Sequence, residues 1–395
     1  MVLAGSPLTR CLSDGPQARP EVESLHAYSA PLEGRRGLLR LDFNENTVGP
    51  SPKVVEAIRA IPADHYAIYP EYDGLREAVV ASLGGMGLNP AHIGLFNGVD
   101  AALHAVFHAY GAPGDRLLTT SPTFGYYTPC ARMQGMAIEA IPYRLPHFGF
   151  PLEEIRTGLL GPGGAGEPSG NWQPPRILLL CNPNNPTGTR LAPERILELA
   201  AAVPRTLVVV DELYEAFTGD SVLPPLLNLG AADAFSAHPN LLVLRSLAKT
   251  AGLAGLRIGF AIGAPALVDR ISRVTGPYDI NSFAVTAARA ALADQAYTDA
   301  YVAEVLRARE WLLEHLHASG VRHHAAGGNY LLIWPSRPAA QVEAELRKAG
   351  ILVRSMAAKP LIDGALRVSL GTCEQMARFW ETYQAIEPMR ISASP

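Results

Sequence analysis

No run among the 395 residues reaches the roughly 18 consecutive apolar positions of a membrane-spanning helix, so no span is expected. Neither charge is in surplus. A formal net charge of −4 gives no strong pull toward nucleic acid or an anionic membrane. Cysteine is scarce: Cys11, Cys130, Cys181 and Cys373 lie far apart, with neither the close pairs of a zinc site nor a CxxC redox motif, and they read as reduced thiols. No GxGxxG follows the first strand and no GxxxxGK[ST] occurs, which argues against the two glycine-loop modes of nucleotide binding. The opening residues MVLAGSPLTRCLSDGPQARPEV are broken too often by Pro, Arg and Asp to form the apolar segment of a secretion signal. The cytoplasm is therefore the expected compartment. No internal repeat is visible.

What is present is an alternation of strand-like and helix-like stretches in a chain too long for one core, since single cores stop growing near ~250–300 residues. An α/β fold with two domains is expected: an N-terminal arm over residues 1–40, partly disordered and completing the small domain; a large domain over 41–283; and an interdomain helix with a small α+β domain over 284–395. LLRLDFNEN (38–46) reads as a short strand, with Asn44 in its polar tail as turn former or ligand contact. Ser51-Pro52 announces a helix, and Tyr69-Pro70 sits in an extended loop ahead of another near Gly74. IGLFNGVDAALHAVFHAYGAPGD reads as strand, turn at Asn97-Gly98, then a helix whose first amides could hold an anion. His104 and His108 on that helix lack a third ligand and are read as packing. LLTTSPTFGYY puts Phe124 and Tyr127 on a loop at a strand end; residues 158–175, rich in Gly and Pro, read as an exposed connector, and 283–317 as one long helical region. NYLLIWP and LRVSLG read as strands of the smaller part, with Arg354 and Arg367 beside them.

Two charged residues stand out because their surroundings are apolar. Asp211 ends the run LVVVD, at the carboxyl edge of a central strand, where open α/β sheets bind ligands. It either wants a cationic partner or serves as N-cap for the helix that follows. Lys249 is the lone lysine of LLVLRSLAKTAGLAGLRIGFA (241–261). An ammonium there reaches solvent, pairs with an anion, or sheds its charge and becomes an amine nucleophile able to form a Schiff base.

The segments NPNNPTG, VVVDELY and SLAKTAGLAGLRIGF, in this order and over about Leu41 to Gly371, resemble the class I/II, fold-type I, pyridoxal-phosphate (PLP) dependent aminotransferases, most of all the histidinol-phosphate aminotransferase branch. The resemblance implies a mostly parallel seven-stranded sheet flanked by helices, PLP as cofactor, no metal, and a homodimer. It implies that Lys249 holds PLP as an internal aldimine and shuttles the substrate proton, and that Asp211 pairs with the pyridine nitrogen. Tyr214 and Asn185 would bind the ring oxygen and Phe124 would stack on the ring. Gly98, Val99, Asp100, Ser246 and Arg257 would hold the phosphate, with Tyr69 reaching over from a second subunit. Arg367, Arg354, Tyr28 and Asn44 would contact substrate. The chain departs from the branch at Ala248, where serine is usual, in the turn NGVDAAL, which lacks the acid common after GAD, and in the insertion at 158–175. Transamination between an amino acid or amino-phosphate and a 2-oxo acid is the expected reaction. Decarboxylation, cyclisation or oxidation on the same scaffold is the alternative.

Overall fold

The continuous apolar runs Ile177–Cys181, Leu207–Asp211 and Leu241–Ser246 have the composition of strands covered on both faces, and they form the middle of a seven-stranded sheet. A computed structural model describes residues 15–27, 33–85, 87–161, 172–228 and 230–387. Numbering strands along the chain gives β1 (Leu39–Arg40), β2 (Ile93–Phe96), β3 (Arg116–Ser121), β4 (Ala137–Pro142), β5 (Ile177–Cys181), β6 (Leu207–Asp211), β7 (Leu241–Ser246) and β8 (Gly259–Gly263). The large sheet has the order β2-β8-β7-β6-β5-β3-β4. All pairings are parallel except those of β8, which runs antiparallel to β2 and β7. Alternate residues feed two cores, as the two-residue period of a strand requires. Leu178, Leu180, Val208, Val210 and Val243 face the helices Leu75–Ser82, Pro193–Ala202 and Ser282–Leu292. Ile177, Leu179, Val209, Leu242 and Leu244 face Gly98–Tyr110 and Tyr127–Met133.

A third core gathers the helices Gln295–Ala318 and Cys373–Ile386 on strands near the carboxyl end. These are β9 (His323–His324), β10 (Tyr330–Ile333), β11 (Ile351–Leu352), β12 (Arg354–Ser355) and β13 (Leu366–Ser369). β12-β13-β10-β9 form an antiparallel sheet, and β1 pairs in parallel with β11.

Several local expectations are corrected. The stretch 38–46 is strand only at Leu39–Arg40; Asn44 turns the chain with φ +54°. Residues 283–317 are not one helix, because Asp294 interrupts them; its carboxylate accepts from Lys53 Nζ at 2.7 Å and from the Ser51 hydroxyl. Gly158–Leu160 close the helix Leu152–Leu160 instead of starting a connector, and Gly158 is held against Leu118. Trp172, at the far end of that stretch, lies under the Arg116 guanidinium at 5.9 Å, while 162–171 lie outside the described residues. Of the expected arm, residues 15–27 and 33–40 are described; a single turn at Pro20–Glu23 is anchored where Arg19 Nη2 donates to the Met133 carbonyl at 2.9 Å.

Candidate active site

Asp211 ends β6, the fourth of seven strands, so the sheet carries its carboxylate to the centre of the carboxyl edge. A cavity of about 120 Å³ opens there. Ten residues singled out from the sequence line it: Gly98, Val99, Asp100, Phe124, Asn185, Asp211, Tyr214, Ser246, Lys249 and Arg257. Cys181, Leu213 and Ala248 complete the wall. Among the described residues Asp211 neither meets a cation nor caps the short helix that follows, which starts after Tyr214. One oxygen caps the local turn, accepting from the Leu213 amide at 3.2 Å, while the other accepts from Tyr127 Oη at 2.6 Å. Burial pushes this carboxyl up to about 6, offset by the Tyr127 and Leu213 bonds.

Lys249 is half-buried on the loop after β7, its Nζ donating to the Phe43 carbonyl at 2.9 Å and lying 5.9 Å from the Tyr214 ring centre. Burial, seconded by the positive charge of Arg367, brings its pKa down to about 8. A sizeable fraction of neutral amine follows near neutral pH. The Tyr214 hydroxyl accepts from Asn44 Nδ2 and Asn185 Nδ2, each at 3.1 Å. Burial keeps that phenol protonated, so its own O–H is left to donate into the cavity.

At the other end of the cavity the backbone comes very close. A Cβ on Gly98, which has φ +78°, would sit 2.5 Å from Arg257 Nη2, and one on Gly259 would sit 2.7 Å from the Gly98–Val99 peptide. Glycine at both places lets β8 press the start of helix Gly98–Tyr110 against Arg257. Arg257 Nη2 donates to Asp100 Oδ2 at 3.0 Å. The Ser246 hydroxyl donates to the Ile258 carbonyl at 2.8 Å.

Arg367 lies beside the ring-binding pair, donating to Asn185 Oδ1 at 2.8 Å and to the Asp42 carbonyl, while its Nε is buried without a partner. Arg354 stands opposite Arg367 in the β12–β13 register and stacks over Phe43 at 5.7 Å. Neither arginine has an ion pair among the described residues. Like charges directly opposed on paired strands repel, which makes this pair a ready seat for an anion. Asn44 is fixed by Ser369 and Asn329.

Tyr69, Arg354, Arg367 and Asn44, all expected at the site, are not among the residues lining the cavity. Tyr69 is 71 % exposed and stacks on Tyr278 at 4.2 Å. Tyr28 lies outside the described residues. Conversely, nothing in the sequence pattern marks Tyr127 for a role; the available signal is its place in the aromatic stretch after β3, where its ring meets that of Phe124 edge-on at 5.4 Å. His104 pairs with Tyr126, not with His108. Among the described residues no cluster of His, Cys, Asp or Glu could hold a metal ion, and no helix is long and apolar enough to cross a membrane.

Comparison with known proteins agrees with this geometry. A histidinol-phosphate aminotransferase of Bordetella parapertussis is 34% identical over 345 residues, covering 86% of this chain and 89% of the relative. One from Roseiflexus castenholzii is 34% identical over 378 residues, covering 90% and 94%. Among solved structures, a histidinol-phosphate aminotransferase from Sinorhizobium meliloti, in complex with pyridoxal-5'-phosphate, superposes with a TM-score of 0.80 at 24% identity over 95% of this chain and 100% of that one. The family model for aminotransferase class I and II matches residues 36–382, and with the cavity described above it shows that this chain belongs to the class I and II aminotransferases.

Proposed function

We propose that the chain is a PLP-dependent transaminase moving an amino group between an amino acid or an amino-phosphate of the histidinol-phosphate kind and a 2-oxo acid. One observation carries the reading: a lysine amine with a pKa lowered to about 8 and a buried carboxylate line the same small cavity. The cavity suits the cofactor chemically. Helix-start amides, Ser246 and Arg257 would hold its phosphate, beside a space that any side chain at position 98 would close. Asp211 would meet its ring nitrogen, the spare Tyr214 proton and the Asn185 amide its ring oxygen, and Phe124 its face.

When bound, PLP supplies an electron sink for the negative charge that develops at the substrate Cα. The residues do the rest. Lys249 takes the Cα proton and returns it on the cofactor side; its lowered pKa makes the free base available near neutral pH. Asp211 holds positive charge on the ring nitrogen. Arg367 orients the substrate carboxylate bidentately, and Arg354 and Asn44, beside it, receive the distal group. Two unpaired guanidiniums favour a substrate with a second anion, in keeping with the names of the relatives. Tyr69 lies outside its own chain's cavity, which supports a homodimer in which it serves the neighbouring site. The separate cores support two domains, expected to meet near 283 but better divided after helix Ser282–Leu292, whose Ala284 and Ala291 pack in the large one, with the arm joining the small one through β1 and β11. We place the protein in the cytoplasm.

The test is a half-reaction. An amino donor alone is expected to discharge the absorbance of the enzyme-bound cofactor, and a 2-oxo acid alone to restore it. Lys249→Ala is expected to abolish both. Carbon dioxide release without restoration would favour a decarboxylase instead, and full turnover by Lys249→Ala would remove the assignment.

A further inference from the structure

Side chains alternate across a strand, so a residue that faces the cofactor cavity has chain neighbours on the other face. Three residues of the cavity have charged chain neighbours: Asp211 precedes Glu212 and Ser246 follows Arg245 at strand ends, while Tyr214 precedes Glu215, which opens a short 3-10 helix. The three neighbours meet. Arg245 Nε donates to Glu212 Oε2 at 3.0 Å, its Nη1 to Glu215 Oε1, and its Nη2 to the Ser221 hydroxyl at 2.7 Å. The Glu212 side chain is fully buried and also accepts from the Val222 amide at 2.8 Å and the Ser221 hydroxyl. One guanidinium thus ties the segment carrying Asp211 and Tyr214 to the strand that leads into Ser246 and Lys249. A cavity of about 260 Å³ adjoins it, lined by Glu212, Glu215 and Arg245; Leu213 and Ser246 line this cavity and the cofactor cavity alike.

We propose that Arg245 is a positioning residue for the cofactor site, setting Asp211 and Tyr214 from the opposite face of the sheet. Removing its side chain would leave two facing carboxylates beside an accessible cavity, a place for a small planar cation. The inference rests on the PLP reading above. Outer partners that orient a site's ligands are worth about 10–100-fold in affinity at metal centres, and an effect of at least about tenfold is expected here by the same logic.

The experiment measures PLP dissociation and the pH midpoint of the bound cofactor's absorbance, which is set at Lys249 and responds to the charge held at Asp211 and to the Tyr214 hydrogen bond. In Arg245→Ala we expect PLP binding weakened about tenfold or more, a displaced midpoint, and recovery of both by millimolar guanidinium but not by sodium chloride of equal ionic strength. Glu215→Gln should move both in the same direction by less. Leu292→Ala, on another wall of the same cavity, should leave the midpoint alone. A folded Arg245→Ala protein with unchanged affinity and midpoint overturns the proposal, as does an equal midpoint shift in Leu292→Ala. If Arg245→Ala does not fold, Glu215→Gln decides, and its failure to move either quantity is fatal. Absence of PLP binding by the unaltered protein would instead remove the cofactor reading, and this proposal with it.

Discussion

Asp211 is held between two opposing effects. Burial raises its carboxyl to about 6 from the usual value near 3.8, because a charge in an apolar core loses its hydration, while Tyr127 donates to it and favours the ionised form. In the cofactor-free protein the native state therefore binds the extra proton between those two values. Stability falls as pH rises through that window, by about 3 kcal/mol in all, and the loss persists above it. Tyr127→Phe removes the donor and pushes the carboxyl higher still. The variant should lose about 1–3 kcal/mol relative to the parent at pH 7.5 and distinctly less at pH 4.5, where the carboxyl is protonated in both. Melting temperatures of the two cofactor-free proteins at the two pH values check this; equal losses would disconnect Tyr127 from the charge. Asp211 and Lys249 are legible in the sequence because a lone charge at the end of an apolar run has no cheap structural explanation. Tyr127 and Cys181 are not, since buried tyrosine and cysteine pass as ordinary core. Their contribution appears only once β5, β6 and the helix after β3 are side by side.

The elements most readable in the sequence are the strands covered on both faces, because double burial leaves an unbroken apolar run such as LLLC or LVVV. The break at Asp294 is the opposite case. Its partners Ser51 and Lys53 come from more than 240 residues earlier, and no local pattern around Ala293 announces them. The same distant fit governs the phosphate end of the cavity, where β8 and the helix Gly98–Tyr110 touch through glycines at 259 and 98. Gly259→Ala puts a methyl carbon 2.7 Å from backbone atoms that have no side chain to yield. Overpacking of this kind costs about 1–3 kcal/mol, and the helix start should shift away from Arg257. A lowered melting temperature together with weaker PLP binding is the expected result. Gly255→Ala, only four residues away and open to space, should change stability by less than about 0.5 kcal/mol. If both substitutions behaved alike, close packing of β8 on the helix would not be what shapes the phosphate site.

Across the whole molecule, the described surface concentrates exposed aromatic area at Tyr66, Tyr69 and Tyr278, with Ile68 among them. Contiguous apolar surface on a globular protein marks an interaction site, and two-fold pairing is the commonest way for a chain to cover it. In the proposed dimer Tyr69 would join that surface to catalysis by placing its hydroxyl at the phosphate in a neighbour's cavity. This gives a test that needs no structure of the dimer. Tyr69→Ala and Lys249→Ala subunits should each form poorly active or inactive homodimers. A mixed dimer, however, contains one site with Lys249 from one chain and Tyr69 from the other, both unaltered. Random pairing of equal amounts makes half the dimers mixed, with one of two sites intact in each, so about a quarter of the parent activity should return. Activity that stays at the sum of the two separate variants would mean that Tyr69 acts within its own chain or not at all. The exposed aromatic surface would then need another partner.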